Sequence, residues 1–143
     1  MLEMRYPATI RQDPKEKDFV VKFPDLEGAI TGAATLDEAL NEAVDCLASW
    51  LAFALAERRP IPVPSLPTAR QYSVSVPLWI APKIALYEAL TQQNVSNSEL
   101  ARRLGVRETV VRRMLDPDHT TAPKKIEAAL KAVGWNLYVV CAA

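Results

Sequence analysis

Residues 96–115 read SNSELARRLGVRETVVRRML, and this stretch carries the most information about how the chain folds. Ser96, followed three residues later by Glu99, has the pattern of a capping box at the start of a helix. Gly105 permits the positive φ angle of a tight turn, and the small side chain of Ala101 lets a second helix cross closely. The stretch therefore predicts two short helices that share a small apolar core, formed by Leu100, Leu104, Val106, Val111 and Met114.

These two helices have the pattern of a helix-turn-helix, which directs one face of its second helix outward, where it can enter a DNA major groove. The stretch resembles the phage-repressor class of such domains. That resemblance implies contacts with base edges by Glu108, Thr109 and Arg113. It also implies phosphate or flanking contacts by Arg102, Arg103, Arg107 and Arg112. Ser96 and Asn97, at a helix N-terminus, are further candidates for a phosphate contact.

One position departs from that class of domains. Where a Ser or Thr usually caps the second helix, this chain has Arg107, so a cap is lost and a cation is gained. An alternative interpretation is a helical packing module whose arginines are only solvated. Arg112 also has an alternative role, because it can pair with Glu108 four residues earlier on the same helix.

The first half of the chain reads as three strands, one long helix and a fourth strand. Period-two patterns predict strands over 5–11, 19–23, 29–33 and 71–76, the first two forming a hairpin. Pro7, which lacks an N–H, indicates that the first strand lies at an edge or has that site unpaired. Thr35 caps a helix predicted over 36–57, in which Trp50 and Phe53 lie off the apolar stripe and are assigned to the core rather than to a partner. Four prolines in residues 60–67 predict a stiff, extended connection.

The second half reads as four helices and one terminal strand. Besides the two helices already described, helices are predicted over about 82–93 and 123–133, the latter ending at Gly134. Residues 135–140 read WNLYVV and predict a final strand. Because a lone strand cannot satisfy its own backbone, this one must pair with something, and a second copy of the chain is one candidate.

Charge divides the 143 residues although the formal net charge is zero. Residues 1–80 carry 11 acidic and 8 basic side chains, whereas residues 81–143 carry 6 acidic and 9 basic ones. The interval 23–57 holds seven carboxylates and no Lys or Arg, and the interval 102–113 holds five arginines. An acidic half attracts basic partners and a basic half attracts nucleic acid, although solvated helix faces give the same pattern.

Several classes of protein are not expected. We identify no apolar run long enough to span a bilayer and no signal peptide. Cys46 and Cys141 lie far apart without metal-site spacing, which favours free thiols in a cytoplasmic protein, with a disulfide between them as the alternative. His119 is the only histidine and has no Cys cluster beside it, so neither a metal site nor a cofactor is predicted. A carboxylate-metal nuclease would need convergent acids, and nothing indicates that Asp13, Asp25, Asp37 and Asp45 converge.

Four segments of the first half resemble the HicB antitoxin family: YPATI at 6–10, FPDLEG at 23–28, TLDEAL at 35–40 and IPVPS at 61–65. The resemblance implies an α+β protein without catalytic activity. Residues 1–80 are expected to form a β-β-β-α-β, truncated RNase H-like, toxin-binding domain that contains the proline-rich segment 60–67. Residues 81–143 are expected to form an all-α, phage-repressor-like DNA-binding domain with a short terminal strand.

The resemblance also implies two partners for a cytoplasmic homodimer or higher homo-oligomer. One is a HicA-type mRNA-cleaving ribonuclease toxin, which the chain would neutralise, and the other is the operator DNA of its own operon, which it would repress. Sequence does not assign the toxin contacts, but charge complementarity with a basic toxin makes five carboxylates candidates: Asp25, Glu27, Glu38, Glu42 and Asp45. The alternative is a transcriptional repressor whose first domain senses a small effector or only dimerises.

Overall fold

The computed structural model describes every residue from Met1 to Ala143 and divides the chain into two units, Met1–Pro77 and Leu78–Ala143. The first unit contains an antiparallel sheet and one long helix, and the second contains four helices. The predicted α+β class is therefore confirmed.

Four antiparallel strands form the sheet of the first unit. They are β1 (Arg5–Gln12), β2 (Phe19–Lys22), β3 (Ile30–Ala33) and β4 (Tyr72–Ser75), arranged in the order β3-β2-β1-β4. The predicted hairpin is confirmed, with Thr9 opposite Lys22 and Gln12 opposite Phe19. This register places Tyr6, Ala8, Val21 and Val74 inside, at 5% exposure or less.

Pro7 lies in a central strand, although proline is usual at sheet edges. The two halves of β1 have different neighbours. Residues 5–8 pair with β4, whereas pairing with β2 begins only at Thr9. The Val76 N–H donates to the Met4 carbonyl at 2.9 Å, so hydrogen-bonded pairs with β4 alternate from Met4 and leave Pro7 at a non-hydrogen-bonded pair. Its nitrogen therefore faces the side where β2 does not yet pair, and the missing N–H removes no bond from the ladder.

The long helix α1 (Leu36–Ala56) covers one face of the sheet. The Thr35 hydroxyl accepts a hydrogen bond from the Glu38 N–H at 3.2 Å and so caps its first turn. Its buried side is formed by small and aliphatic residues: Ala39, Ala43, Leu47, Ala48, Leu51, Ala54 and Leu55. Contrary to the expectation from sequence, α1 is long and apolar enough to cross a membrane by length and composition, although its buried side packs on the sheet.

The proline-rich segment is extended and is held at two points. The Tyr6 hydroxyl donates a hydrogen bond to the Pro62 carbonyl at 2.7 Å. The Ser65 N–H and hydroxyl donate to the Asp25 carboxylate at 2.8 and 3.0 Å. The segment leads from the end of α1 to β4 without regular secondary structure, as the prolines predict.

The second unit consists of α2 (Ala81–Gln93), α3 (Asn97–Leu104), α4 (Glu108–Leu115) and α5 (Pro123–Ala132). Helix α2 packs on α4 and α5, and α3 packs on the same two helices. The centre of this unit is aliphatic and includes Ile80, Leu86, Leu100, Val111 and Leu130, each at most 1% exposed. Lys83 is also buried there, at 2% exposure.

The predicted strand over 135–140 is wrong for the single chain. Gly134 ends α5 with a φ of +80°, and residues 135–143 have no regular secondary structure. All four strands of the sheet belong to the first unit, so within its own unit this segment has no strand to join. Val139 and Val140 are 61% and 77% exposed. Residues that favour β structure do not form a strand without a second strand to supply hydrogen bonds.

Gly32→Ala tests the register of β2 and β3. A Cβ at position 32 would lie 2.9 Å from the Phe19 carbonyl oxygen, which is backbone and cannot move aside cheaply. We expect a loss of about 1–3 kcal/mol in the free energy of unfolding, measured by urea denaturation. Ser73→Ala, at an exposed site in β4, is the control and should stay within about 0.5 kcal/mol. Equal stability of the Gly32 variant would contradict the described register.

Candidate nucleic-acid interface and acidic surface

Helices α3 and α4 are joined by a tight turn and share one small core. Gly105 ends α3 with a φ of +67°, and the Val106 N–H donates to the Ala101 carbonyl at 3.0 Å. Leu100 and Ala101 of α3 and Val111 and Met114 of α4 are buried, at 4% exposure or less. Leu104 is half-buried and Val106 is 37% exposed, so the prediction that Val106 belongs to this core is wrong: it lies in the turn.

The N-terminus of α3 has a side-chain cap and that of α4 has none, as the sequence predicts. The Ser96 hydroxyl accepts from the Glu99 N–H at 3.1 Å and caps α3. Arg107 occupies the N-cap position of α4 with extended backbone and makes no side-chain capping bond. The second half of the predicted capping box does not form, because the Glu99 carboxylate binds arginines instead of the Ser96 N–H.

Glu99 binds two of the five arginines. Its carboxylate accepts from Arg102 at 2.9 and 2.7 Å and from Arg103 at 3.0 Å. These hydrogen bonds lower the pKa of Glu99 to about 2 and raise the pKa of Arg102. Arg103 also reaches the Ala132 carbonyl at 3.4 Å. Both guanidinium groups are therefore oriented by the protein before any ligand arrives.

Glu108 engages a third arginine. Arg112 Nε lies 3.4 Å from the Glu108 carboxylate, so the alternative i, i+4 pairing is confirmed. Ser98 donates to the other oxygen of the same carboxylate at 3.3 Å. Glu108 is thus held by groups of its own unit, on the flank of α4.

The outer face of α4 carries the remaining predicted residues. Helical spacing places Thr109, Arg112 and Arg113 opposite the buried Val111 and Met114. All three are exposed, as is Arg107 at the helix start. Arg107 and Arg113 form no salt bridge, so their guanidinium groups are the cations of this face most available to an anion. Ser96 is exposed and Asn97 half-buried at the start of α3.

In the first unit, three of the five predicted acidic residues share a face. Glu38, Glu42 and Asp45 are exposed at i, i+4 and i+7 on α1, opposite the side that packs on the sheet. We call these three residues the acidic stripe. Because it faces solvent and holds no cation, its negative charge is uncompensated along two turns of helix.

The other two predicted acidic residues have local contacts. Asp25 is half-buried and binds Ser65, so its carboxylate already anchors the proline-rich segment. Glu27 has an exposed side chain, while its carbonyl accepts from the Trp50 indole N–H at 2.9 Å. The structure therefore does not bring these five residues together as one cluster: three form the acidic stripe and two belong to the neighbouring turn.

Phe53 lies at the surface, so its predicted place in the core is wrong. Its ring is 52% exposed, and the Arg59 guanidinium lies 5.0 Å from the ring centroid. Trp50 is half-buried, in partial agreement with its core assignment. The signal that could have found Phe53 is its helical angle, which places it on the outer side of α1 next to the acidic stripe.

Comparisons with known proteins show which family the chain resembles. Residues 5–85 match the family described as HicB_like antitoxin of bacterial toxin-antitoxin system. The chain is 40% identical to Antitoxin HicB 2 of Photorhabdus laumondii over 137 residues, which is 96% of each protein. It is 34% identical to Antitoxin HicB of Escherichia coli over 137 residues, 96% of this chain and 99% of that protein. A shorter match, 36% over 101 residues, covers 70% of this chain and 69% of Antitoxin HicB of Pseudomonas fluorescens.

The matched family and the length of these alignments establish the class. The chain belongs to the HicB-like antitoxin family of bacterial toxin-antitoxin systems. Members of this family are regulatory proteins and not enzymes, as the residue pattern predicts.

Glu99→Gln tests the electrostatics of α3. Because the folded pKa of Glu99 is depressed, its carboxylate stabilises the fold above its ordinary pKa of 4.5, and this contribution is lost as pH falls towards about 2. We expect the variant to show a shallower loss of thermal stability between pH 5 and 2 than the unmodified chain. Glu127→Gln, which removes a single longer contact of 3.4 Å to Lys131, is the control. An unchanged pH profile in the Glu99 variant would contradict the described pairing.

Proposed function

We propose that this antitoxin has two separate activities. Through Met1–Pro77 it binds and neutralises a HicA-type mRNA-cleaving toxin, and through Leu78–Ala143 it represses its own toxin-antitoxin operon by binding the operator. The observation that carries the second activity is the outer face of α4, where exposed cations lie opposite a buried apolar side. The acidic stripe supports the first activity.

The α3–turn–α4 pair is, in this proposal, a helix-turn-helix with α4 as its recognition helix. Its short helices, glycine turn and shared core support that assignment. Thr109 and Arg113 read base edges, since both are exposed on the outer face and arginine matches guanine in a bidentate manner. Arg107 contacts phosphate at the N-terminus of α4.

The remaining predicted contacts act less directly. Arg102 and Arg103 bind phosphate while Glu99 orients them, and Arg112 does so from its pair with Glu108. Because Glu108 is held by Ser98 and Arg112, base reading by its carboxylate requires exchange of those contacts. Ser96 and Asn97 approach a phosphate at the N-terminus of α3.

A homodimer or higher homo-oligomer is part of the proposal. The segment 135–140 is rich in β-forming residues and largely exposed, which supports pairing with the same segment of a second copy. A two-fold dimer would present two copies of α4, as a symmetric operator requires. Each unit alone also has only a small core, which favours association.

The first unit supports a toxin-masking role through charge. A ribonuclease must attract RNA, so its active surface is basic, and the acidic stripe offers the opposite charge. The β-β-β-α-β order of the first unit supports the truncated RNase H-like description. Both cysteines are free thiols, which supports a cytoplasmic location for the complex.

Arg113→Ala tests operator recognition. We expect the variant to lose about 1–3 kcal/mol of operator binding and to tolerate changes at one base pair of each half-site, measured by fluorescence anisotropy with the DNA upstream of its own reading frame.

Arg107→Ala should weaken all DNA binding and reduce the slope of log K against log salt by about 1. A footprint over that DNA should show two symmetric half-sites.

Arg70→Ala is the matched control for both variants, because it removes the same charge from an exposed site in the first unit. Operator affinity of the Arg113 variant equal to that of the control would contradict the assignment of α4. A change of DNA affinity that instead follows a small effector, with no toxin bound, would favour the alternative repressor.

The acidic stripe is tested by neutralising it in a Glu38→Gln, Glu42→Gln, Asp45→Asn triple variant. We expect the association rate with the toxin to fall about tenfold or more at low salt, with a smaller effect at high salt, measured by surface plasmon resonance. The control neutralises three exposed acids elsewhere in the same unit: Glu3→Gln, Glu16→Gln and Asp18→Asn. Equal rates for both triple variants would show that net charge alone, and not the stripe, attracts the toxin.

A further inference from the structure

Lys83 is a buried lysine in the first turn of α2 that forms no salt bridge. Its side chain is 2% exposed. Its ammonium group instead donates to three main-chain carbonyls, Arg113 at 3.1 Å, Asp116 at 2.8 Å and His119 at 2.7 Å. The Thr121 hydroxyl completes the set at 3.1 Å.

This arrangement places a positive charge at the C-terminal end of α4. The last carbonyls of a helix have no intrahelical donors and carry the negative end of the helix dipole, so a cation stabilises them. Burial lowers the pKa of Lys83, while the nearby Asp116 carboxylate opposes this effect. An ammonium has three N–H donors, and no neutral side chain has as many; here four acceptors lie within 3.1 Å of them.

The position of α4 has few other determinants. The helix has eight residues, its N-cap Arg107 makes no side-chain capping bond, and its packing rests on two fully buried side chains. The Arg113 carbonyl also accepts from the Asp116 N–H at 3.2 Å and from the Thr121 hydroxyl at 3.3 Å, and the Thr121 hydroxyl is itself within hydrogen-bond distance of the Lys83 ammonium. The hydrogen bonds of Lys83 act at the opposite end of α4 from Arg107, and one of them holds the carbonyl of Arg113 itself.

We propose that Lys83 is a positioning residue for operator recognition, which fixes the C-terminal end of α4 so that the Arg113 side chain meets its base pair. This inference rests on the proposed function, because it assumes that α4 reads DNA. At 2% exposure Lys83 cannot itself reach a phosphate. Its effect on DNA binding must therefore pass through the helix that it holds.

The test is Lys83→Met, which keeps the apolar part of the side chain and removes the ammonium. We expect operator affinity to fall about tenfold or more while affinity for a scrambled duplex of the same composition stays within about twofold. The slope of log K against log salt should not change, since a buried lysine releases no counterion, whereas loss of a phosphate contact would lower it by about 1. Affinities are measured by anisotropy and normalised to the fraction of folded protein.

Two controls separate positioning from stability and from charge. Gln93→Met removes the bond from the same helix to the Val133 carbonyl at 2.7 Å, which caps α5 and not α4. Lys131→Met makes the same chemical change at an exposed site. Both controls should keep the ratio of operator to scrambled affinity. Thr121→Val, which removes only the hydroxyl, should lower that ratio in the same direction by less, and it replaces Lys83→Met if that variant does not fold.

The outcomes are distinguishable. If the unmodified chain binds operator and scrambled duplexes equally, the proposed function fails. If it discriminates and the Lys83 and Thr121 variants discriminate equally well, the positioning role is wrong and the proposed function stands. A parallel fall in both affinities of the Lys83 variant, matched by the Gln93 control, would also overturn the inference, because that pattern reports global stability alone.

Discussion

A helix of two turns does not hold its shape alone in water, and α3 and α4 are each eight residues long. The second unit therefore depends on contacts made by its longer helix, α2. Lys83 near one end of α2 holds the carbonyls at the end of α4, and Gln93 at the other end holds a carbonyl at the end of α5. Helix α2 thus supplies hydrogen-bond donors to both of the helices on which it packs.

Which charged side chains of this protein are free to bind a ligand depends on local ion pairs as well as on composition. Composition counts the five arginines between residues 102 and 113 alike, yet three of them bind carboxylates of the same unit and two do not. Exposed pairs of this kind contribute little to stability, whereas Arg107 and Arg113 form no salt bridge at all. In the first unit Asp25 is likewise used internally, which leaves the acidic stripe as the exposed negative surface.

Periodicity and local motifs predicted most of the architecture. The strands and helices of both units appear within a residue or two of their predicted bounds, because their hydrophobic periods, caps and turn glycines are local signals. Besides the return half of the Ser96–Glu99 capping box, predictions failed where burial or pairing decides and local pattern does not. Val106 is exposed in its turn, Phe53 lies outside the core, and residues 135–140 form no strand without a partner.

The sequence by itself determined the α+β class, the order of elements, the acidic and basic halves and the family to which the chain belongs. The ion pairs of the arginines are local, since they join residues three or four apart on one helix. Tertiary structure alone decided which side chains are buried and which distant carbonyls they reach, because these depend on which helices meet. It also revealed Lys83, an ordinary lysine by sequence, whose partners lie about thirty residues away. Local patterns report what one element prefers, whereas burial and hydrogen-bond partners follow from how elements pack.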